Sequence, residues 1–248
     1  KDKLSSAPIV ESYGGKVELI NFKSGYSSSS IIEKISNQAI RPFVHEGVTK
    51  DASKSAVVFL DRDGTINVEK HYLHKLEDFE YENGVLEALE GLQKLGYKFI
   101  IVTNQAGIAK GYYTESDYLI LEEFIENDLR EKGIIIQKTY HCPHHPQGKI
   151  PYNVNCDCRK PKTGMFLEAI EEFDIDIENS YMVGDRFTDL KPADELGIYP
   201  VLIKTGYGTD QLNSLVESNE NIEEKFKRVM VVENLIDLLN KLYANNEN

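Results

Sequence analysis

The sequence predicts an α/β fold, a doubly wound parallel sheet, on three observations. Short aliphatic runs alternate with helical patterns over about 150 residues from Ser55 onward, as in parallel sheets covered by helices on both faces. Glycines stand just past the helical patterns, at Gly96, Gly133 and Gly197, where a left-handed residue ends a helix. Three of the runs stop abruptly on polar residues: Asp61 and Asp63 after 57–60, Thr103 and Asn104 after 99–102, and Asp185 after 181–184. Ligands bind such sheets beyond the carboxyl ends of the strands, so these groups are expected to converge on one edge.

In chain order, "SAVVFLD" (55–61) reads as the first buried strand, and "NGVLEALEGLQKLG" (83–96) as a helix with apolar residues on one face. "YKFIIVTN" (97–104) is the second strand, followed by the helix "TESDYLILEEFIENDLREKG" (114–133) and the strand "GIIIQKTYHC" (133–142). The helix "TGMFLEAIEEFD" (163–174), the strand "SYMVGD" (180–185) and the helix "DLKPADELG" (189–197) continue the alternation. "YPVLIK" (199–204) and "KRVMVVEN" (227–234), rich in Val and Ile, supply two more strands. No large cap domain is expected. The stretch from Gly64 to Glu82 is too short for one, and Gly133 to Arg159 is taken up by a strand and a cysteine-containing loop.

Composition narrows the partners. Acidic residues number 41 against 28 basic ones, a formal charge of −13, a field that repels nucleic acid and anionic membrane surfaces. A small molecule is the expected partner, with no nucleic acid and no membrane. No run approaches the roughly 20 apolar residues of a membrane span and no secretory leader opens the chain, so a cytoplasmic protein is expected. Residue 1 is Lys, which leaves room for an upstream portion.

A single carboxylate at a strand end is explained by turn capping. The pair in "DRDGT" (61–65) permits more: Asp61 can present a nucleophilic oxygen while Asp63, one pleat later on the same side, gives and takes a proton. Gly64 lets the backbone turn beside a ligand. Repulsion among Asp61, Asp63 and Asp185 calls for a divalent cation, and hard oxygen donors suit Mg²⁺.

With "TNQ" (103–105), "RKPKTGM" (159–165) and "GDRFTDL" (184–190) following in order, the chain resembles the haloacid dehalogenase superfamily of phosphatases, Rossmann-type folds, over roughly residues 55–205. The resemblance implies an aspartyl-phosphate on Asp61, with Asp63 protonating the leaving oxygen and then activating water. It implies that Thr103 and Lys160 hold the phosphoryl oxygens. Mg²⁺ would be bound by Asp61, the Asp63 main-chain carbonyl and Asp185, with Asp189 behind them. Asn104, Gln105, Arg159 and Arg186 are the expected substrate-binding residues. A lone Lys160 would read as a solvated surface lysine; its place in "CRKPKTGM" favours the phosphate role, where a cation meets the charge of a phosphoryl group in transfer.

All three cysteines fall between Cys142 and Cys158, a local device rather than a disulfide framework. Cys142, His144, Cys156 and Cys158 form C-x-H, an eleven-residue loop and C-x-C, a donor set suited to tetrahedral Zn²⁺, with His145 as a rival to His144. The loop, with Pro146, Gly148 and Pro151 and little apolar content, needs a staple to order. "TNQAGIAKGYYTE" (103–115) and this loop ahead of "CRKP" resemble the group of heptose 1,7-bisphosphate phosphatases and histidinol-phosphatase domains. The implied reading is a Mg²⁺-dependent phosphatase with a structural zinc, acting on a phosphorylated heptose in surface-glycan precursor synthesis, with histidinol phosphate as the alternative substrate. A zinc-stapled interaction module without catalysis is the reading from another class; it fits poorly with Asp61, Asp63 and Lys160 all in place.

Residues 1–50 read as an N-terminal extension and linker ahead of a phosphatase domain at 51–248. "KVELINFKSGYSSSSIIEKISNQ" also resembles the last strand and helix of cytidylyltransferase-like nucleotidyltransferases. That family's His-containing nucleotide motif is absent from the chain, so a remnant, or fusion to or association with such a domain, is implied rather than the activity.

Overall fold

The computed structural model describes residues 54–246; the expectations for residues 1–50 lie outside the described residues. Strands β1 (Val57–Leu60), β2 (Lys98–Asn104), β3 (Ile136–Cys142), β4 (Tyr181–Gly184), β5 (Tyr199–Ile203) and β6 (Met230–Val232) form one sheet in the order β3-β2-β1-β4-β5-β6. Every neighbouring pair is parallel. The chain steps outward from β1 to β3 and then crosses back to place β4 on the other side of β1. That reversal leaves a crevice beyond the ends of β1 and β4.

The helices are α1 (Val85–Lys94), α2 (Ala106–Lys110), α3 (Glu115–Glu131), α4 (Gly164–Glu172), α5 (Phe187–Leu196), α6 (Gly208–Ser218), α7 (Ile222–Lys225) and α8 (Leu235–Asn246). Strand alternation divides the core in two. Val58 and Leu60 join Leu89 and Leu92 of α1, Leu121 and Ile125 of α3, and Leu235 and Leu238 of α8. Val57 and Phe59 join Phe166 of α4, Leu190 of α5 and Leu212 of α6 on the other face, with the Phe59 and Phe166 rings 5.2 Å apart. Each such fully buried side chain contributes about 1.5–3 kcal/mol. Strands β1, β4 and β5 are therefore buried along their whole length, whereas the edge strand β3 carries Gln137, Lys138 and Thr139 in its middle.

All six predicted strands are present. The helices after β5 were not predicted. In α6 two buried leucines, Leu212 and Leu215, sit among Asn, Ser and Thr, which have weak helix propensity, and α2 has only five residues, too few to show a period. Helix α5 starts at Phe187, ahead of the predicted 189, because the Asp189 carboxylate accepts from the Arg186 amide at 3.0 Å and holds the first turn. Among the described residues there is no large cap: β1 and α1 are joined by turns and one short 3₁₀ segment, Leu76–Asp78, and residues 143–163 contain no helix or strand. No described helix is long and apolar enough to cross a membrane.

Candidate active site

Asp61 follows the last residue of β1, its amide donating to the Val183 carbonyl of β4 at 2.9 Å, so it sits at the crevice. The Lys160 ammonium reaches the Asp61 carboxylate at 2.8 Å, Asp189 at 2.9 Å and the Val102 carbonyl at 2.7 Å. Lys160 is itself held through its main chain. The Asn104 amide donates to the Lys160 carbonyl at 3.0 Å, and the Lys160 N–H donates back to Asn104 Oδ1 at 3.1 Å. A lysine 99 residues from Asp61 in sequence is thereby fixed against it from the end of β2.

Asp185, after β4, is fully buried. Its Oδ2 accepts from the Tyr207 amide at 2.8 Å, while Oδ1 is buried with no hydrogen-bond partner. Carboxylate oxygens of Asp61, Asp185 and Asp189 all lie within 4.8 Å of one another. Burial pushes the Asp61 carboxyl up to about 7 against the pull of Lys160. Burial, then the charges of Asp189 and Asp61, push Asp185 up to about 8. Burial would lower the Lys160 ammonium, but the Asp189 and Asp61 carboxylates outweigh it and hold it above its ordinary value. Three buried carboxylates against one lysine leave negative charge over, and one Asp185 oxygen is buried without a partner; a hard divalent cation fits both.

The backbone around the acids is as close as it can be. A Cβ on Gly64 would lie 2.4 Å from Asp185 Oδ2 and one on Gly206 2.2 Å from it, and both residues have positive φ, +80° and +52°. Only glycine at these two positions leaves room for the carboxylate. Thr205 ties the two turns together, its hydroxyl donating to the Gly64 carbonyl at 2.6 Å.

The Asp63 carboxylate stands apart from the acid cluster. It accepts from Asn67 Nδ2 at 3.0 Å, from Gln105 Nε2 at 3.0 Å and from Arg62 Nη2 at 2.9 Å. Gln105 Nε2 also donates to the Thr103 hydroxyl at 2.9 Å. Thr103, Asn104 and Gln105 thus all face the crevice from β2.

The four expected thiol and imidazole donors also meet. Cys142 and Cys158 sulfurs are 3.2 Å apart, Cys142 and Cys156 3.5 Å, and His144 Nδ1 lies 3.4 Å from Cys158. A tetrahedral site with metal–sulfur bonds of about 2.3 Å has edges of roughly 3.7 Å, close to this spacing. All three cysteines are free thiols. The rival His145 instead lines the cavity that Asp61 and Lys160 share. The loop is docked as well as clustered: the Lys149 amide donates to Ala109 of α2 at 2.6 Å, the Tyr152 hydroxyl to Glu115 of α3 at 2.9 Å, and Arg159 to the His144 carbonyl at 3.2 Å.

A cavity of about 370 Å³ joins Asp61, Asp63, Thr103, Asn104, Gln105, Arg159, Lys160, Arg186 and Asp189. Lys110 and Tyr113, from the "IAKGYY" stretch expected with the cysteine loop to shape specificity, also line it, together with residues that sequence reading did not single out: Glu69, His71, Tyr72, Thr188 and Tyr207. His71 and Tyr72 adopt positive φ, 47° and 60°, which carries both rings over the crevice. Tyr72 accepts from Lys110 at 2.7 Å, His71 shares a hydrogen bond with Tyr207 at 2.7 Å, and the Arg186 guanidinium lies 3.7 Å over the Tyr207 ring. No spacing in "EKHYLHK" signals this; consecutive left-handed residues are legible only in the backbone.

Comparison with known proteins gives the family. The model of the family described as polynucleotide kinase 3 phosphatase matches residues 56–195, and that described as HAD-hydrolase-like matches residues 157–238. A D-glycero-alpha-D-manno-heptose-1,7-bisphosphate 7-phosphatase of Photorhabdus laumondii is 46% identical over 171 residues, covering 67% of this chain and 93% of the relative. The D-glycero-beta-D-manno-heptose-1,7-bisphosphate 7-phosphatase of Pasteurella multocida is 42% identical over 176 residues, covering 68% and 96%. Among solved structures, the D,D-heptose 1,7-bisphosphate phosphatase of B. bronchiseptica, complexed with magnesium and phosphate, superposes with a TM-score of 0.65 at 26% identity, covering 76% of this chain and 98% of the other.

Proposed function

This chain belongs to the haloacid dehalogenase-like phosphatases, in the family of the heptose-1,7-bisphosphate 7-phosphatases, and from that premise we propose that it hydrolyses the 7-phosphate of a D-glycero-D-manno-heptose 1,7-bisphosphate through an aspartyl-phosphate on Asp61. The observation that carries the proposal is the contact of Lys160 with Asp61 at 2.8 Å at the switch point of the sheet. With it, a buried carboxylate, a buried ammonium and two further carboxylates gather around one point, which supports Asp61 as the nucleophile. In the first step an Asp61 oxygen bonds to phosphorus as the bond to the sugar oxygen breaks, and Asp63 gives its proton to that leaving oxygen. In the second, Asp63 takes a proton from water, whose oxygen displaces Asp61 from phosphorus and yields inorganic phosphate.

Asp61, the Asp63 main-chain carbonyl and Asp185 would hold Mg²⁺, with Asp189 joining them or bracing Lys160. Bound there, the ion offsets charge on the phosphoryl oxygens. Lys160 and the Thr103 hydroxyl serve the same oxygens from the protein side. Arg159, Arg186 and Lys110 leave cations at the rim for a second phosphate. Cys142, His144, Cys156 and Cys158 would hold Zn²⁺ structurally, since four protein donors leave no open position. A net charge of −13 disfavours a polynucleotide substrate, although one matching family model is named for polynucleotide phosphatases.

The deciding experiment is phosphate release from both anomers of heptose 1,7-bisphosphate, histidinol phosphate and a 3′-phosphorylated oligonucleotide, with and without Mg²⁺. Highest kcat/KM on a heptose bisphosphate is expected; highest kcat/KM on either of the others would replace the substrate assignment.

A further inference from the structure

Arg62 is the least expected residue of the nucleophile loop. Its side chain is completely buried, and an ionised group carried out of water costs several kcal/mol unless its charge is answered. Nη2 donates to both oxygens of Asp63 at 2.9 Å, to the Leu73 carbonyl at 3.3 Å and to Gln105 Oε1 at 3.4 Å. Nε and Nη1 have no hydrogen-bond partner. Behind the guanidinium stand Glu122 of α3, 3.9 Å from Nη1, and the Tyr118 ring at 5.5 Å. An arginine serving only the fold would be expected to satisfy its whole fork. This one directs its one bonded nitrogen at the Asp63 carboxylate and at Gln105 beside it.

Gln105 completes the grip, and Tyr113 decides which way Gln105 points. The Tyr113 hydroxyl donates to Gln105 Oε1 at 2.6 Å. With Oε1 accepting from Tyr113 and Arg62, the amide nitrogen is left to donate to Asp63 Oδ2 at 3.0 Å. A flipped amide would set a carbonyl against that carboxylate. Tyr113 reaches this position only because residue 107 has no side chain: a Cβ there would lie 2.1 Å from the Tyr113 ring.

From these contacts we infer that Arg62 and Tyr113 are positioning residues for Asp63, Arg62 by gripping its carboxylate and Tyr113 by fixing the Gln105 amide that holds its other side. The inference rests on the reading of Asp63 as acid and then base. A group that must act in two successive steps on one phosphorus needs one fixed place, and displacements near 1 Å cost about 10²-fold.

The test uses Tyr113→Phe and Arg62→Lys, with Asp63→Asn as reference, on heptose 1,7-bisphosphate and on 4-nitrophenyl phosphate. The nitrophenolate leaves without a proton, so its first step bypasses the acid while hydrolysis of the aspartyl-phosphate still needs the base. For Tyr113→Phe we expect kcat on the sugar to fall roughly tenfold or more with KM little changed. With 4-nitrophenyl phosphate it should give a burst approaching one equivalent before a slow steady state, and Arg62→Lys should do the same if it folds. General structural damage would lower both substrates together and shrink the burst. Wild-type kinetics in Tyr113→Phe, or loss without a burst while Asp63→Asn shows one, would overturn the positioning role and leave the acid–base reading standing. Absence of a burst in Asp63→Asn would remove that reading, and the inference with it.

Discussion

Removing divalent cations should make the protein's stability fall steeply as pH rises. Asp61 and Asp185 are raised to about 7 and about 8 in the folded chain, chiefly by burial, whereas unfolded aspartates titrate near 3.9. A carboxyl that keeps its proton longer when folded adds stability below the unfolded value, and that contribution is lost as pH climbs through the folded values. Between pH 5 and 7 the folded chain therefore holds at least one extra proton, taking a single one because Lys160 offsets part of the charge. The slope is then about 1.4 kcal/mol per pH unit, or roughly 3 kcal/mol over the interval, a drop in Tm of roughly 6–12 °C for a domain of this size. Mg²⁺ held there would bind the ionised carboxylates, so its stabilisation, about 2.7 kcal/mol at 100 times Kd, should be larger at pH 8 than at pH 6. The assay is thermal unfolding from pH 5 to 8 in divalent-free buffer, with thiol-bound metal retained and checked by metal analysis. Asp185→Asn should flatten the slope and raise the metal-free Tm at pH 8. A Tm independent of pH, or a Mg²⁺ shift of equal size at pH 6 and 8, would refute a charge-frustrated cluster.

Asp61→Asn should abolish turnover while leaving the circular dichroism spectrum unchanged; activity above about one per cent of wild type, more than loss of a nucleophile allows, would point to another attacking group. Asn104→Ala removes both hydrogen bonds to the Lys160 main chain, at about 1 kcal/mol each, and should lower kcat/KM roughly tenfold or more with Lys160 still present; unchanged kinetics would mean that Lys160 is held by its ion pairs alone. Purified protein should contain one zinc per chain, and Cys156→Ser should lose it, raise KM and leave the sheet folded; protein without zinc, or a variant with wild-type kinetics, would dismiss the staple.

What the sequence made legible follows from where each signal lies. Asp61, Asp63, Asp185 and the 142–158 cluster are local spacings at strand ends or in one loop, and strand ends are located by their aliphatic runs. The choice between His144 and His145 was open in sequence; in the fold His144 lies among the three thiols and His145 lines the cavity instead. The Tyr113–Gln105 hydrogen bond was not legible, because it depends on a five-residue helix and on a glycine whose importance is steric. Arg62 was passed over for a different reason: nothing in the sequence says that it is buried. Asp189 was expected behind the cluster, yet its carboxylate lies within ligand spacing of Asp61 and Asp185 and pairs with Lys160. Helix periodicity placed it on the right element but could not say how closely α5 approaches β1.

The absence of a large cap among the described residues puts the burden of preorganisation on short loops. A capped enzyme can assemble its site by closure, drawing on binding energy to order it. Here Asp61, Lys160 and Asp185 are already buried, and the segments that carry them are cross-tied: Lys160 to β2 through Asn104, Arg159 to the cysteine loop through the His144 carbonyl, and the Gly64 turn to the Gly206 turn through Thr205. Each tie removes freedom that substrate binding would otherwise have to remove. The cysteine loop is the least self-sufficient of these segments, with no helix or strand of its own from 143 to 158, and it ends immediately before Arg159 and Lys160. A metal at Cys158 would therefore anchor the backbone from which both cations project. Mobility released there would reach the reacting phosphate through Lys160 and the distal rim through Arg159, which is why its loss should appear in KM as well as in kcat/KM.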